Sequence, residues 1–220
     1  MTERLGISPR APAPNSRSST PPNDLAPCTR ADLPSDTIAL ARFLIGAYLV
    51  REPQVVVRII ETEAYLVDDA GSHAFRGQTA RNAAMFLERG HAYVYFIYGN
   101  HYCLNVVSEP GGVGAAVLIR AAEPVCGLTT IRARSGPKVA ERDLLRGPGR
   151  LARALDVGRE FDRADLCTPG RLWLATRPGA PAPAIGTSVR IGLTKNAEAE
   201  LRFFERGNPL VSGPKRLAAN

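Results

Sequence analysis

A single mixed α/β domain is what this sequence predicts, and three observations carry that expectation. The chain of 220 residues is long enough to bury one sizeable core, and no interior stretch has the composition of a linker. Runs of strand length rich in β-branched and aromatic residues alternate with segments of helical spacing. One pair of such runs flanks Gly99-Asn100, the pattern of a β-hairpin.

Taken in order, residues 1–27 are rich in Pro, Ser and Arg with little to bury and read as a flexible arm, followed by a domain over 28–215 and a tail over 216–220. Order is expected from near Leu33, where Ser35 or Asp36 can cap a helix whose Ile38, Leu40, Ala41, Phe43, Leu44 and Ile45 face inward and which Gly46 ends. A strand pair follows at 47–50 and 55–65, the second changing from VVVRII to ETEAY as a core strand emerges into a polar site. Residues 81–87 read as a short helix, 91–107 as the hairpin, and 115–119 as an apolar strand ending at Arg120. Helical patterns return at 125–134 and 150–155. Gly147-Pro148-Gly149 opens the latter with free backbone amides suited to a phosphate. Strands are expected near 172–175, 189–193 and 201–204, with a Pro/Gly/Ala loop at 177–186.

The formal charge is +7 with a pI near 9.6, and 25 of the 28 basic residues are arginines. Such a surface suits phosphate. A GC-rich genome that encodes Arg freely gives the same composition, so charge alone leaves both readings open. Cys28, Cys103, Cys126 and Cys167 form no C-x-x-C pair, and only His73, His91 and His101 are available to complete a metal site. Reduced thiols in a cytoplasmic, nucleoid-associated protein are the expectation. No apolar run is long enough to span a bilayer, and the N-terminus lacks a basic-then-apolar export pattern.

Side chains alternate along a strand, so Val57, Ile59, Glu61, Glu63 and Tyr65 are expected on one face and Arg58, Ile60, Thr62 and Ala64 on the other. A carboxylate beside an aromatic ring at the end of a buried strand suits general-base work. A solvated strand end explains the same residues equally simply. Tyr93, Tyr95, Tyr98 and Tyr102 crowd into the hairpin, where β-propensity alone can place tyrosine. Tyr98, however, is beside Gly99 at the tip, with little protein to pack against and free to wedge between bases. His73, with Asp68 and Asp69 upstream, decides nothing alone.

Nine segments taken together are more specific. They are R-I-I-E-T-E-A-Y-L (58–66), S-H (72–73), Q-T-A-R-N-A-A-M-F (78–86), A-Y-V-Y-F-I-Y-G-N-H-Y-C-L-N (92–105) and A-V-L-I-R-A-A-E-P (116–124), then R-G-P-G-R-L-A-R-A-L (146–155), F-D-R-A-D-L (161–166), V-R-I-G (189–192) and L-R-F-F-E-R-G-N-P-L-V-S (201–212). In this order they resemble the alkyladenine, or 3-methyladenine, DNA glycosylase family across the whole domain.

The resemblance implies a mixed α/β (α+β) domain on a curved antiparallel sheet with surrounding helices and a hairpin that enters the DNA minor groove. It implies a base-excision enzyme that flips alkylated or deaminated purines out of duplex DNA and hydrolyses the glycosidic bond. By the same resemblance Glu63 is the general base, and Arg120 and the backbone at Ile191 position the water. Tyr65, His73 and Tyr95 stack on the flipped base, Asn105 gates against guanine's exocyclic amine, and Tyr98 fills the vacated stack. Arg81, Asn82, Gly149 and Arg150 are candidate phosphate contacts.

No lysine falls within the motifs, so no Schiff base and no strand cleavage are expected. No cofactor, no metal and a monomer are expected. If Tyr95 and Asn105 share a pocket, a three-residue hairpin loop through His101 pairing the two is the expected register. Two rivals remain at this point. One is a metal-dependent nuclease or phosphohydrolase using Glu61, Glu63, Asp68, Asp69 and His73. The other is a non-catalytic binder of damaged DNA.

Overall fold

Nine strands and three α-helices are formed within residues 21–214, the part of the chain that this computed structural model describes. In chain order they are β1 (Ala26–Pro27), α1 (Thr37–Phe43), β2 (Tyr48–Arg51), β3 (Val55–Tyr65), β4 (Ala92–Ile97), β5 (His101–Val107) and β6 (Ala116–Cys126), then α2 (Leu128–Ser135), α3 (Pro148–Ala154), β7 (Leu172–Thr176), β8 (Ile185–Ser188) and β9 (Arg202–Glu205). Every pairing is antiparallel, in the order β1-β7-β2-β3-β6-β5-β4, with β9 on β3 and β8 on β9. The sheet curls because β3 changes one neighbour along its length. It pairs with β2 over residues 55–58 and with β9 over 61–63, while β6 follows its other edge throughout. The predicted single domain on a curved antiparallel sheet is thus the observed architecture.

Local chemistry explains the first helix. Asp36 takes the cap, its Oδ1 accepting from the Ala39 N–H at 2.7 Å, and Gly46 turns the chain with φ +91°. Several boundaries differ from expectation. Ala26–Pro27 already pairs with Ala175–Thr176 and Cys28 is buried, so the arm ends earlier than residue 27. Its residues 1–20, and the predicted tail, lie outside the described residues. β6 continues past Arg120 to Cys126, because its ladder to β3 holds a stretch too small and polar to read as strand. The segment 81–87 is a 3-10 turn over Ala83–Phe86. Residues 189–193 are not a strand. β8 lies just before them, and from Arg190 onward the polar groups bond into the site instead of a ladder.

The alternation expected along β3 also fails, and the failure places the site. Ile60 on β3 and Arg120 on β6 each fall outside the register, in paired irregularities around Glu61↔Ala121. Such bulges reverse which face a strand presents. Val57 and Ile59 therefore share the main core with Ala64, while Ile60 joins a small cluster with Ala121, Phe204 and Val211 on the other side. Thr62 turns to the helical side and donates to Ala41 O at 2.9 Å. Glu63 and Tyr65 are left facing away from the main core. That core fills the space between the sheet and the helices, with Leu40, Leu44, Ile131, Leu151 and Leu155 fully covered.

Candidate active site

The site begins as one row across four strands. Glu63 on β3 is opposite Leu118 on β6, Leu118 opposite Asn105 on β5, and Asn105 opposite Tyr93 on β4. Residues in register across a sheet share a face, so this row, with Tyr65, Tyr95 and Cys103 two positions on, lines one surface. A cavity of about 440 Å³ lies on it, bounded by Tyr65, His73, Tyr93, Tyr95, Asn105 and Arg120, with Arg146, Gly149, Arg150 and Ile191 farther round the wall. A second hollow of about 790 Å³ lies beside the Pro178–Pro183 loop. It is larger, but the charged groups that converge on it, Arg58, Glu123 and Glu205, are ion-paired with one another.

Glu63 lies beneath the cavity wall with its side chain fully covered, and three donors fix its carboxylate. Oε2 accepts from the Tyr65 hydroxyl at 3.0 Å and Arg120 Nη1 at 3.0 Å, and Oε1 accepts from the Ile191 N–H at 2.7 Å. Burial and the neighbouring Glu63 carboxylate push the Tyr65 phenol well up, which keeps it a proton donor. Burial alone would lower the Arg120 guanidinium, but Glu63 and Glu61 more than offset this, and it stays charged.

Glu61 lies next to this group and belongs to the scaffold. It accepts from Arg202 Nε at 2.7 Å, Arg120 Nε at 3.2 Å, Ser212 N at 2.6 Å and Ser212 Oγ at 2.9 Å. Both of its oxygens are thereby engaged within the protein, Oε1 by three donors and Oε2 by the Ser212 N–H.

The cavity's other walls are aromatic. Tyr95 stacks on Tyr93 with ring centres 5.3 Å apart, and His73 meets Tyr95 edge-on at 4.6 Å. His73 Nδ1 is 2.8 Å from the Tyr93 hydroxyl. The ring is accessible from the cavity mouth, yet it is closely surrounded. That burial, with the charge of Arg81, holds it below its ordinary value, so at pH 7 it is a neutral ring. Asn105 is buried and donates to Tyr93 O at 3.0 Å.

Tyr98 is at the hairpin tip beside this mouth, 83% exposed and with a left-handed φ of +54°. Both observations mark a ring left largely uncovered by the described residues and a backbone held in an unusual turn.

The hairpin register needs correcting. The loop has three residues, Tyr98 to Asn100, but it closes on Ile97↔His101, so Tyr95 pairs with Cys103 and Asn105 with Tyr93. The shift moves Asn105 by two positions relative to the predicted partner, which keeps it on the same face as Tyr95. Asn82 also leaves the phosphate set. It is buried, its amide donates to His73 O at 2.8 Å and Gly77 O at 3.0 Å, and its oxygen accepts from Thr79. Its role is to fix the loop that carries His73. Arg81 and Arg150 are exposed near the mouth, and Gly149 packs so closely on His101 that a Cβ would meet that ring at 2.9 Å.

Sequence reasoning did not assign Tyr93 to the pocket, nor did it find the Arg190–Asp69 and Arg202–Glu61 pairs behind it. The acids of the rival metal reading do not converge. Glu61 and Glu63 face arginines, Asp69 pairs with Arg190, and among the described residues no group of three or more His, Cys, Asp or Glu is placed to hold a metal ion. Among those residues, too, no helix is long and apolar enough to cross a membrane.

A buried carboxylate thus lies beneath an aromatic cavity with an exposed tyrosine at its mouth, and comparison with known proteins shows the family. Residues 31–209 match the family model described as Methylpurine-DNA glycosylase (MPG), and the chain belongs to that family. Among individual relatives, it is 54% identical over 197 residues to a protein of Mesorhizobium japonicum, covering 88% of this chain and 94% of the other. It is 49% identical over 196 residues to one of Paraburkholderia phytofirmans, covering 88% and 91%, and 42% identical over 199 residues to one of Koribacter versatilis, covering 88% and 96%. All three carry the name "Putative 3-methyladenine DNA glycosylase".

Proposed function

We propose that this chain is a monofunctional purine-specific DNA glycosylase that flips alkylated or deaminated purines into the cavity and hydrolyses the bond to the sugar. One observation carries the reading: a buried carboxylate, fixed by three protein donors, lies under an aromatic cavity whose mouth holds an exposed tyrosine.

In this reading, Tyr65, His73 and Tyr95 stack on the extruded base, and Tyr98 takes its place in the helix. Flipping costs a few kcal/mol of stacking, which a wedge ring and an aromatic pocket return in similar amount. Glu63 Oε2 is engaged by Tyr65 and Arg120, whereas Oε1 has one protein donor, so Oε1 is the oxygen with a lone pair left to accept from water. The carboxylate takes the proton as water attacks the anomeric carbon and stabilises the cationic sugar as the base leaves. Asn105, pinned by Tyr93 O, presses on the edge where guanine carries its amine. Arg81, Gly149 and Arg150 serve as contacts to the DNA backbone, and among the described residues no lysine lines the cavity. The chain acts as a monomer, without a metal.

The test is incubation with duplexes carrying hypoxanthine or 1,N6-ethenoadenine, in EDTA. Free base and an intact abasic strand are expected. No release, or release that EDTA abolishes, would sink the proposal.

Tyr98 gives a separable prediction. Being exposed, it contributes little to folding, so Tyr98→Ala should leave the melting temperature unchanged. It should weaken lesion-duplex binding by about tenfold, the loss of one base–aromatic stack. Fluorescence anisotropy checks this, and unchanged affinity would remove Tyr98 from the interface.

A further inference from the structure

Arg190 is buried and does not line the cavity, yet it touches the Tyr65 ring, which does, and the backbone beside Glu63. It is 3% exposed and ion-paired with Asp69, with Nη2 2.9 Å from Oδ1. Its Nη1 donates to Ala64 O at 3.0 Å, between Glu63 and Tyr65, and its guanidinium carbon lies 4.7 Å from the centre of the Tyr65 ring. Asp69 in turn accepts from Gly71 N at 2.9 Å and Asn196 Nδ2 at 2.8 Å, which ties the His73 loop to the same point. The next residue along is Ile191, whose N–H holds Glu63. With no ladder in this segment, the Arg190 side chain and the Ile191 N–H are what dock it on β3.

Tyr65 lines the cavity and Arg190 does not, so the guanidinium covers the ring from its protein side. A ring attracts a cation through its electron-rich face. Here that density is already engaged by one cation, whose charge, seen through the ring, opposes a second in front. Asp69 cancels part of this charge but lies on the same hidden side.

Resting on the glycosylase reading, we propose that Arg190, clamped by Asp69, is a positioning and specificity-determining residue: it aligns Tyr65 and the Ile191 N–H, and biases the pocket towards neutral damaged purines over cationic ones. Tyr95, backed by Tyr93 and not by a cation, carries no such bias.

The experiment compares single-turnover release of 3-methyladenine from methylated duplex DNA, where the base is cationic, with release of neutral hypoxanthine from an oligonucleotide. Wild type, Arg190→Met and Asp69→Asn are measured side by side. Arg190→Met slows both reactions but raises the cationic-to-neutral ratio about three- to fivefold over wild type, the worth of one cation–π contact. Asp69→Asn leaves the guanidinium uncompensated and lowers the same ratio. Should Arg190→Met fail to fold, the ratio in Asp69→Asn decides. Equal slowing of both lesions, or a ratio moving the other way, overturns this inference alone. A wild-type protein that releases neither base overturns the glycosylase reading and this inference with it.

Discussion

Glu63→Gln is expected to slow base release by about 10²- to 10⁴-fold, the usual contribution of a positioned general base, while lesion-bearing DNA is still bound. The amide keeps the size of the carboxylate and an oxygen that can accept from the Ile191 N–H. It loses the negative charge and the basic lone pair, which are the two properties the proposed reaction needs. Tyr65, Tyr95 and His73 are untouched, so stacking on the flipped base persists. Single-turnover kinetics and gel shift on one duplex separate the two effects. Parallel loss of binding and release would mean that Glu63 acts as structure, and retained turnover would remove it from the chemistry.

Two residues away on the same strand, the opposite outcome is expected. Glu61→Ala should cost about 3 to 5 kcal/mol of stability, because breaking a buried ion pair leaves charge uncompensated. The carboxylate is wholly buried and is shared by Arg120, Arg202 and Ser212, and Arg202 is itself fully covered. The loss would appear as a lower urea midpoint with an unchanged slope. Per folded molecule, activity should fall far less than in Glu63→Gln. A stable Glu61→Ala protein devoid of activity would exchange the roles assigned to the two acids.

The contrast between these acids shows what a sequence can and cannot reveal. Of the residues the sequence points to, Tyr65, His73, Tyr95, Asn105, Arg120 and Ile191 line one cavity, and Glu63 is buried beneath its wall. Alternating side chains and a tyrosine-rich hairpin are local signals, and the resemblance supplied the rest. The direction in which Glu63 points was not legible, because it depends on irregularities involving Ile60 and Arg120, residues of two strands whose pairing the sequence does not state. The supporting pairs were equally hidden. Arg190 and Asp69 are 121 positions apart, and Ser212 and Glu61 are 151 apart, so no spacing rule connects them. Tyr93 was overlooked for the reverse reason. A tyrosine within a strand reads as ordinary core, and only its contacts with His73 and Tyr95 give it a place in the wall.

The row from Glu63 through Leu118 to Asn105 also acts as a ruler. Peptide geometry holds neighbouring strands about 4.8 Å apart, so acid and amide are anchored about 10 Å from each other whatever their rotamers. A heterocycle that abuts the amide while its sugar reaches the acid must span a fixed gauge. In the proposed reaction a two-ring base does so, and a one-ring base touching the same stop would hold its sugar short of the carboxylate. Rejection of pyrimidines would then be written into the backbone itself, where no side-chain replacement in the pocket could easily erase it.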